Sequence, residues 1–350
     1  MSTNLQFKTT ESGVGVLTLA REQALNSLSQ DMISSMLQLL QQWENDENVQ
    51  IVLLEGAGEK AFCAGGDIKA LYQARDQKNG FEQAKKFFQE EYELDLFIAT
   101  YPKPIIVLMD GIVMGGGVGL AQGASHRIVT EKTKWSMPEM NISFFPDVGA
   151  CYFLSQTPGG YTGRYAALTA AVLKGEDAIS MACADYFIPS HSLPVLREQL
   201  LETDWRSGHE NVHQAAHLFL QPFIEEPPKS ELALLQNKIN EHFSHKTIES
   251  ILDSLEKKDD SFAQETAKMM RSKSPLALKV TLAHLKQSQT STLEETYETD
   301  IILAMHFLQC DDFYEGVRSV LIEKTRTPNY QYKAIEDVPD ELALSFFREI

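Results

Sequence analysis

Pro104 to Gly149 reads PIIVLMDGIVMGGGVGLAQGASHRIVTEKTKWSMPEMNISFFPDVG. PIIVLMD is a short apolar run suited to a buried strand. Gly115, Gly116 and Gly117 then leave the backbone bare before GLAQGAS, which can continue as a helix. A helix start with exposed N–H groups and no side chain in the way can hold an anion or a developing oxyanion. Downstream, Glu139 follows Pro138 and Asp147 follows Pro146, and proline fixes the chain beside each acid. The active site is expected in this stretch.

Outward from it, the chain alternates strand and helix. LQFKTTESGVGVLTLAR reads as two strands turning at Glu11-Ser12-Gly13. Ser29-Gln30-Asp31 resembles a helix start, and Met32, Met36, Leu39, Leu40 and Trp43 follow at helical spacing. VQIVLLEG is a buried strand, AFCAGGDIKALYQ begins the pattern again, and Asn79 to Tyr101 is helical, with Phe87, Phe88, Tyr92 and Leu96 as its apolar stripe. HRIVTEK and KWSM supply two more short strands, and another is expected near Tyr186 to Pro189. Such alternation means an α/β fold. After about Pro222 the segments are charged, amphipathic and nearly free of strand signals. The expected division is a catalytic core over 1–222 and a mainly helical region over 223–350 packing on it.

Composition limits what this fold can serve. The chain has 350 residues, 43% of them hydrophobic, and a net charge of -18, with a mean hydropathy of -0.23 and a pI of about 4.9. That balance suits solubility and opposes nucleic-acid or anionic-membrane binding, so a polyanionic ligand needs a local basic patch. No apolar run reaches about 18 residues, and MSTNLQFKTTESG has neither a signal-peptide core nor an Arg-rich presequence, so a cytoplasmic location is expected. Cys63, Cys151, Cys183 and Cys310 are scattered without CxxC spacing and read as reduced thiols. No GxGxxG follows a strand as a dinucleotide site requires, and GxxxxGK[ST] and GxSxG are absent. His209-Glu210-Asn211-Val212-His213 does satisfy HExxH, with His217 continuing the spacing, but three fixed letters in an acidic helical region make a histidine-bearing helix the better account than zinc.

AFCAGGDIK, MDGIVMGGGVGLA and KWSMPEMNISFFPDVG, at these separations, resemble the crotonase (enoyl-CoA hydratase/isomerase) superfamily, a ββα superhelix acting on acyl-coenzyme A thioesters. EEYELD, PDVG and FYEGVRSVLIEKTRTPNY resemble more narrowly its 3-hydroxyisobutyryl-CoA hydrolase subgroup, which implies a place in valine catabolism. The resemblance implies that the Gly66 and Gly116 amides form an oxyanion hole; an isolated glycine triplet would read more readily as a tight turn, and the paired motifs reverse that preference. Hydratases of the superfamily carry a glutamate three residues after the middle glycine. Here that position is Gly119, while Glu139 keeps the second acid and Asp147 stands where hydratases commonly have glycine. Hydrolysis of a small hydroxyacyl-CoA by Glu139 and Asp147 is therefore expected.

The resemblance also implies that Glu91 contacts the acyl hydroxyl, a solvated helix face being its alternative. Arg21, Ala24, Ala64, Gly65 and Lys69 would hold coenzyme A, ordinary salt bridges being the alternative for the two cations. For the two acids the alternative is loop capping or a pairing with Arg164. Cys63 is expected to fill a strand end. No metal or redox cofactor is implied, and the chain could form a homo-oligomer. An enoyl-CoA hydratase or isomerase using Glu139 alone, and a silent scaffold on the same fold, remain open readings.

Overall fold

A computed structural model describes residues 2–206 and 210–349. They form two compact units, each assembled from separate stretches of chain. The first takes Met1–Gly66, Glu90–Trp135 and Leu173–Glu231; the second takes Asp67–Gln89, Ser136–Val172 and Leu232–Ile350. This differs from the single division expected after residue 222, because Asp67–Gln89 and Ser136–Val172, inside the expected core, belong with the C-terminal helices.

In the first unit, β1 (Leu5–Thr9) and β2 (Val14–Leu19) form the expected antiparallel hairpin. Beyond it, pairs of consecutive strands are shared between two sheets. β3 (Ile51–Gly56) is followed by β4 (Ala61–Cys63), β5 (Ile105–Met109) by β6 (Ile112–Met114), and β7 (His126–Val129) by β8 (Lys134–Ser136), with β9 (Leu173–Lys174) and β10 (Tyr186–Phe187) completing the set. The first of each pair joins a six-stranded sheet ordered β1-β2-β3-β5-β7-β10, and the second joins a four-stranded sheet ordered β4-β6-β8-β9. The six-stranded sheet is parallel from β2 onward, and its strands read as continuous apolar runs because both faces are covered. One face presents Val14, Val16, Ile51, Leu53, Ile106 and Leu108 to the helices Leu193–Glu202 and Val212–Leu220.

Four helices bear on the site. α1 (Gln30–Glu44) buries Met32, Met36, Leu39, Leu40 and Trp43, as its spacing predicts. α2 (Ile68–Ala74) is capped by Asp67, whose side chain accepts from the Ala70 amide at 3.2 Å. α3 (Gly80–Ala99) buries Leu94 and Ile98 as well as Phe87, Phe88 and Tyr92, leaving Leu96 only half-buried. α4 (Gly116–Gln122) corrects the expectation that a helix begins after the glycine triplet, since Gly116 and Gly117 already form its first turn. Gly115 caps it at φ 52°, ψ -124°, a conformation that side chains with a Cβ avoid.

The second unit is built mostly of helices. Its C-terminal part contains Gln236–Phe243, Ile248–Glu256, Ser261–Arg271, Pro275–Ser288, Leu293–Phe307 and Asp311–Val317, matching the helical character expected after Pro222. Its core is aromatic. Phe144 stacks on Phe88 with centroids 5.6 Å apart and also meets Phe307 and Phe313, while Phe145 stacks on Phe307 at 5.7 Å. Arrangements of this kind contribute beyond simple area burial.

Gly117 tests the packing of α4 on β4. A Cβ there would lie 2.3 Å from the Cys63 carbonyl oxygen and 2.8 Å from the Cys63 Cβ. Gly117→Ala is expected to destabilise the fold by about 1–3 kcal/mol, the usual range for overpacking, seen as a lower urea midpoint; an unchanged midpoint would show that α4 can move away freely.

Candidate active site

β4 ends in Cys63, and the next three residues bring backbone against the glycine triplet. Gly65, at φ 96°, approaches so closely that a Cβ on it would meet the Met114 carbonyl at 3.0 Å and the Gly116 nitrogen at 3.4 Å. A Cβ on Gly116 would in turn lie 3.3 Å from the Gly66 nitrogen and 2.2 Å from Glu91 Oε1. Gly66, Gly116 and the Glu91 carboxyl therefore converge on one small volume within the first unit. Two backbone N–H donors aimed at one point are the geometry that stabilises an oxyanion.

Glu91 corrects its solvated-face alternative, because it is 2% exposed. Asp95 follows one helical turn later on α3 and is fully buried, a residue that sequence reasoning did not single out. Both sit close enough to Cys63 for their negative charge to act on its thiol. Burial first, and then these carboxylates, push the Cys63 thiol up to about 12. Cys63 thus fills the strand end, as expected, and is held in its neutral form.

The loop expected to hold coenzyme A lies beside this volume. Arg21 begins the 3-10 turn Glu22–Ala24; its backbone N–H donates to Asn26 Oδ1 at 2.9 Å and its guanidinium to the Ser27 hydroxyl at 3.2 Å. The Ala64 amide donates to the Leu25 carbonyl at 3.0 Å, and Leu28 donates to the Gly65 carbonyl at 2.8 Å. Asn26 ties the loop down further, its side-chain amide donating to the Ala57 and Ala61 carbonyls at 2.9 Å each. Arg21, Ala24, Ala64 and Gly65 are accordingly brought together with Gly66. A cleft of about 620 Å³ adjoins them, lined by Leu25, Asn26, Gly58 and Lys60 among others. Lys69 lies in the second unit on the exposed side of α2.

Glu139 and Asp147 both belong to the second unit. Glu139 opens a 3-10 turn, Glu139–Ile142, that Ser143 closes in the left-handed region. Helix Asp311–Val317 presses on this turn at Gly316, where a Cβ would meet the Ile142 carbonyl at 2.4 Å. Lys273, 9% exposed, donates to Asn141 Oδ1 at 2.5 Å, and burial lowers its ammonium to about 8. Asp147 precedes Val148 at φ 53° and Gly149 at φ 73°. A β-branched residue in that region costs on the order of 1–3 kcal/mol, which surrounding structure must offset. Both acids are nearly buried, at 8% and 5% exposure. Both also act, with Asp300, on the Cys151 thiol, which burial and these three negative charges push well above its ordinary value. Both carboxylates therefore lie in the second unit within electrostatic reach of the Cys151 thiol.

The remaining candidates resolve differently. Arg164 donates to the Phe243 and His245 carbonyls at 2.6 and 3.0 Å and lies over the Tyr161 ring, so it ties helices together instead of pairing with the acids. Of the HExxH letters, His209 lies outside the described residues. His213 Nε2 meets the Pro102 carbonyl at 3.2 Å and stacks on His126, while His217 contacts the Tyr186 hydroxyl at 2.8 Å. Burial lowers His126 to about 4. Among the described residues no group of three His, Cys, Asp or Glu could hold a metal, and no helix is long and apolar enough to cross a membrane.

The sequence pattern of the enoyl-CoA hydratase/isomerase family matches residues 14–347, and the chain belongs to that family. It is 39% identical over 336 residues to the mitochondrial 3-hydroxyisobutyryl-CoA hydrolase of Rattus norvegicus, covering 96% of this chain and 86% of that protein. The corresponding hydrolase of Gallus gallus is 37% identical over 341 residues, covering 97% and 88%. The crystal structure of a carnitinyl-CoA dehydratase from Mycobacterium thermoresistibile superposes with a TM-score of 0.91 at 35% identity, covering 100% of this chain and 97% of that one. The fold is thus the crotonase-like α/β fold with a helical C-terminal region that the motifs predict.

The thiols give a direct check on burial in each unit. With its thiol pushed up to about 12, Cys63 holds only about one part in ten thousand as thiolate at pH 8, and the thiolate is the reactive form. Iodoacetamide at pH 8 is expected to leave Cys63 and Cys151 unmodified in the folded protein and to modify both in urea, as read by peptide mass spectrometry. Rapid native modification of Cys63 would contradict this picture.

Proposed function

We propose that the chain hydrolyses 3-hydroxyisobutyryl-CoA, or a closely similar small hydroxyacyl-CoA, to the free hydroxy acid and coenzyme A. The observation that carries this is that Glu139 and Asp147 are both buried acids of the second unit, each within electrostatic reach of Cys151, while Gly119, in α4, offers no carboxylate. Relatives named as hydrolases of that thioester, matched over nearly their whole length, support the same substrate.

In this mechanism the Gly66 and Gly116 amides donate to the thioester oxygen as it gains negative charge. Donors of this type contribute about 100- to 1000-fold each in known oxyanion holes. Glu91, at the same point, accepts from or donates to the acyl hydroxyl and so selects a hydroxylated chain. Glu139 starts the reaction as a carboxylate, either attacking the carbonyl carbon to give a mixed anhydride or taking a proton from water that attacks it. In both routes the C–S bond breaks and the departing thiolate takes up a proton; in the first, water then opens the anhydride to release the hydroxy acid and restore the Glu139 carboxylate, and Asp147 orients that water or supplies the thiolate's proton. The Arg21 to Leu28 loop with Ala64 and Gly65 would hold adenine and pantetheine, and Lys69 and Arg21 are the cations proposed for the phosphates. These groups suffice without a metal or redox cofactor, so a chelator is expected to leave the rate unchanged.

A second reading, hydration of an enoyl-CoA by Glu139 alone, draws on the dehydratase named among the similar structures. Gly119 weighs against it, because adding water across a double bond uses both an acid and a base.

Glu139→Gln preserves size and hydrogen bonding but can neither attack carbon nor accept a proton at neutral pH. It is expected to lower kcat for thiol release from 3-hydroxyisobutyryl-CoA by about 100- to 10,000-fold, and Asp147→Asn to spare ground-state binding while lowering turnover. Single turnover in oxygen-18 water, with hydroxylamine trapping, separates the routes: label on Glu139 or a trapped hydroxamate marks the anhydride. Full activity in Glu139→Gln would remove this residue from the chemistry.

A further inference from the structure

Asp300, on helix Leu293–Phe307, and His284, on helix Pro275–Ser288, form a buried pair in the second unit. Both are 0% exposed. Asp300 Oδ1 lies 2.7 Å from His284 Nε2, and Asp300 Oδ2 accepts the Gly149 backbone N–H at 2.8 Å. His284 Nδ1 faces the Ser288 hydroxyl at 3.4 Å, and the imidazole edge meets the Phe145 ring at 5.8 Å. One turn before Asp300 on its helix, Tyr297 donates its hydroxyl to the Val148 carbonyl at 3.2 Å. Gly149 fits beneath that ring so closely that a Cβ would lie 3.0 Å from it.

A carboxylate buried this deeply is costly unless its oxygens are hydrogen-bonded. Burial pushes the Asp300 carboxyl up, while His284 and the Gly149 amide oppose that shift. An aliphatic pair would pack here at less cost, so its polarity calls for a use. What the pair grips is the left-handed Val148-Gly149 turn next to Asp147, a conformation the chain would otherwise leave.

We infer that Asp300, oriented by His284 and assisted by Tyr297, is a positioning residue that holds Asp147 in its working direction through the 148–149 backbone. The inference rests on the proposed role of Asp147 in hydrolysis. Asp300 is fully buried and acts through backbone. It accepts the Gly149 N–H, Tyr297 fixes the Val148 carbonyl of the same peptide group, and Asp147 is left one residue from a peptide group anchored at both its polar ends. Misplacement of a reacting group by about 1 Å can cost roughly 100-fold in rate.

The test is a mutant cycle on the full-length protein with 3-hydroxyisobutyryl-CoA as the probe. In Asp300→Ala, kcat is expected to fall by about 100-fold with KM nearly unchanged. Asp300→Asn, whose amide oxygen can still accept the Gly149 N–H, is expected to recover most of that loss. In an Asp147→Asn background, Asp300→Ala is expected to cost nothing further, because groups acting through one another are not additive. Losses that multiply, or a rise in KM at constant kcat, would overturn the inference while leaving the Asp147 role intact. An Asp147→Asn enzyme with full activity would instead overturn that role, and this inference with it. If Asp300→Ala does not fold, Tyr297→Phe decides: a lowered kcat that disappears in the Asp147→Asn background supports positioning, and an unchanged kcat contradicts it.

Discussion

The arrangement depends first on the close approach of bare backbone at Gly115 to Gly117 to the chain leaving β4. At Gly116 a Cβ would strike Glu91, and at Gly117 it would strike the Cys63 carbonyl. Removing three side chains lets the start of α4 lie directly against residues 63 to 66, which brings the Gly66 nitrogen close to Gly116. The same loop at Gly65 also anchors the Arg21 to Leu28 segment. In the proposed reaction the thioester and its nucleotide would be held by backbone segments 21–28, 63–66 and 115–117, which lie side by side in the first unit. Amides on rigid elements need no reorganisation when charge develops, which is where such donors gain their value.

The acids are mounted by different means. No glycine-rich cradle surrounds Glu139 and Asp147; they ride on short turns with left-handed residues at Ser143, Val148 and Gly149. Those turns are held by the C-terminal region of the same unit, through Gly316 against Ile142, Lys273 on Asn141, and Tyr297 and Asp300 on the one Val148–Gly149 peptide group. The C-terminal helical region thereby gains a chemical purpose, since turns of this shape do not persist unsupported. It also accounts for a long amphipathic segment that contributes polar side chains to a buried interior.

Much of this was legible because the relevant signals are local. The hairpin, α1 and the buried strands follow from apolar period and turn residues, and the acid pair follows from two proline-flanked motifs eight positions apart. Glu91 was less legible. EEYELD reads as an acidic face, and only the burial of the second half of α3 shows which glutamate turns inward. His284 and Asp300 gave no signal that could be separated from ordinary helix polarity. His284 lies within SPLALKVTLAHLKQS, where one imidazole among lysines suggests solvent, and Asp300 follows Glu294, Glu295 and Glu298 in a segment rich in acids. The capping box at Thr292 and Glu295 locates that helix in the sequence but says nothing of which later acid faces inward. Helix packing decides that, and packing is not local.

The central claim is that this site cleaves a thioester instead of hydrating a double bond. Free-thiol release from 3-hydroxyisobutyryl-CoA, measured beside the loss of enoyl absorbance from crotonyl-CoA with the same purified protein, tests it most directly. The account predicts rapid thiol release with hydration near background. Rapid loss of enoyl absorbance with thiol release at background would contradict it.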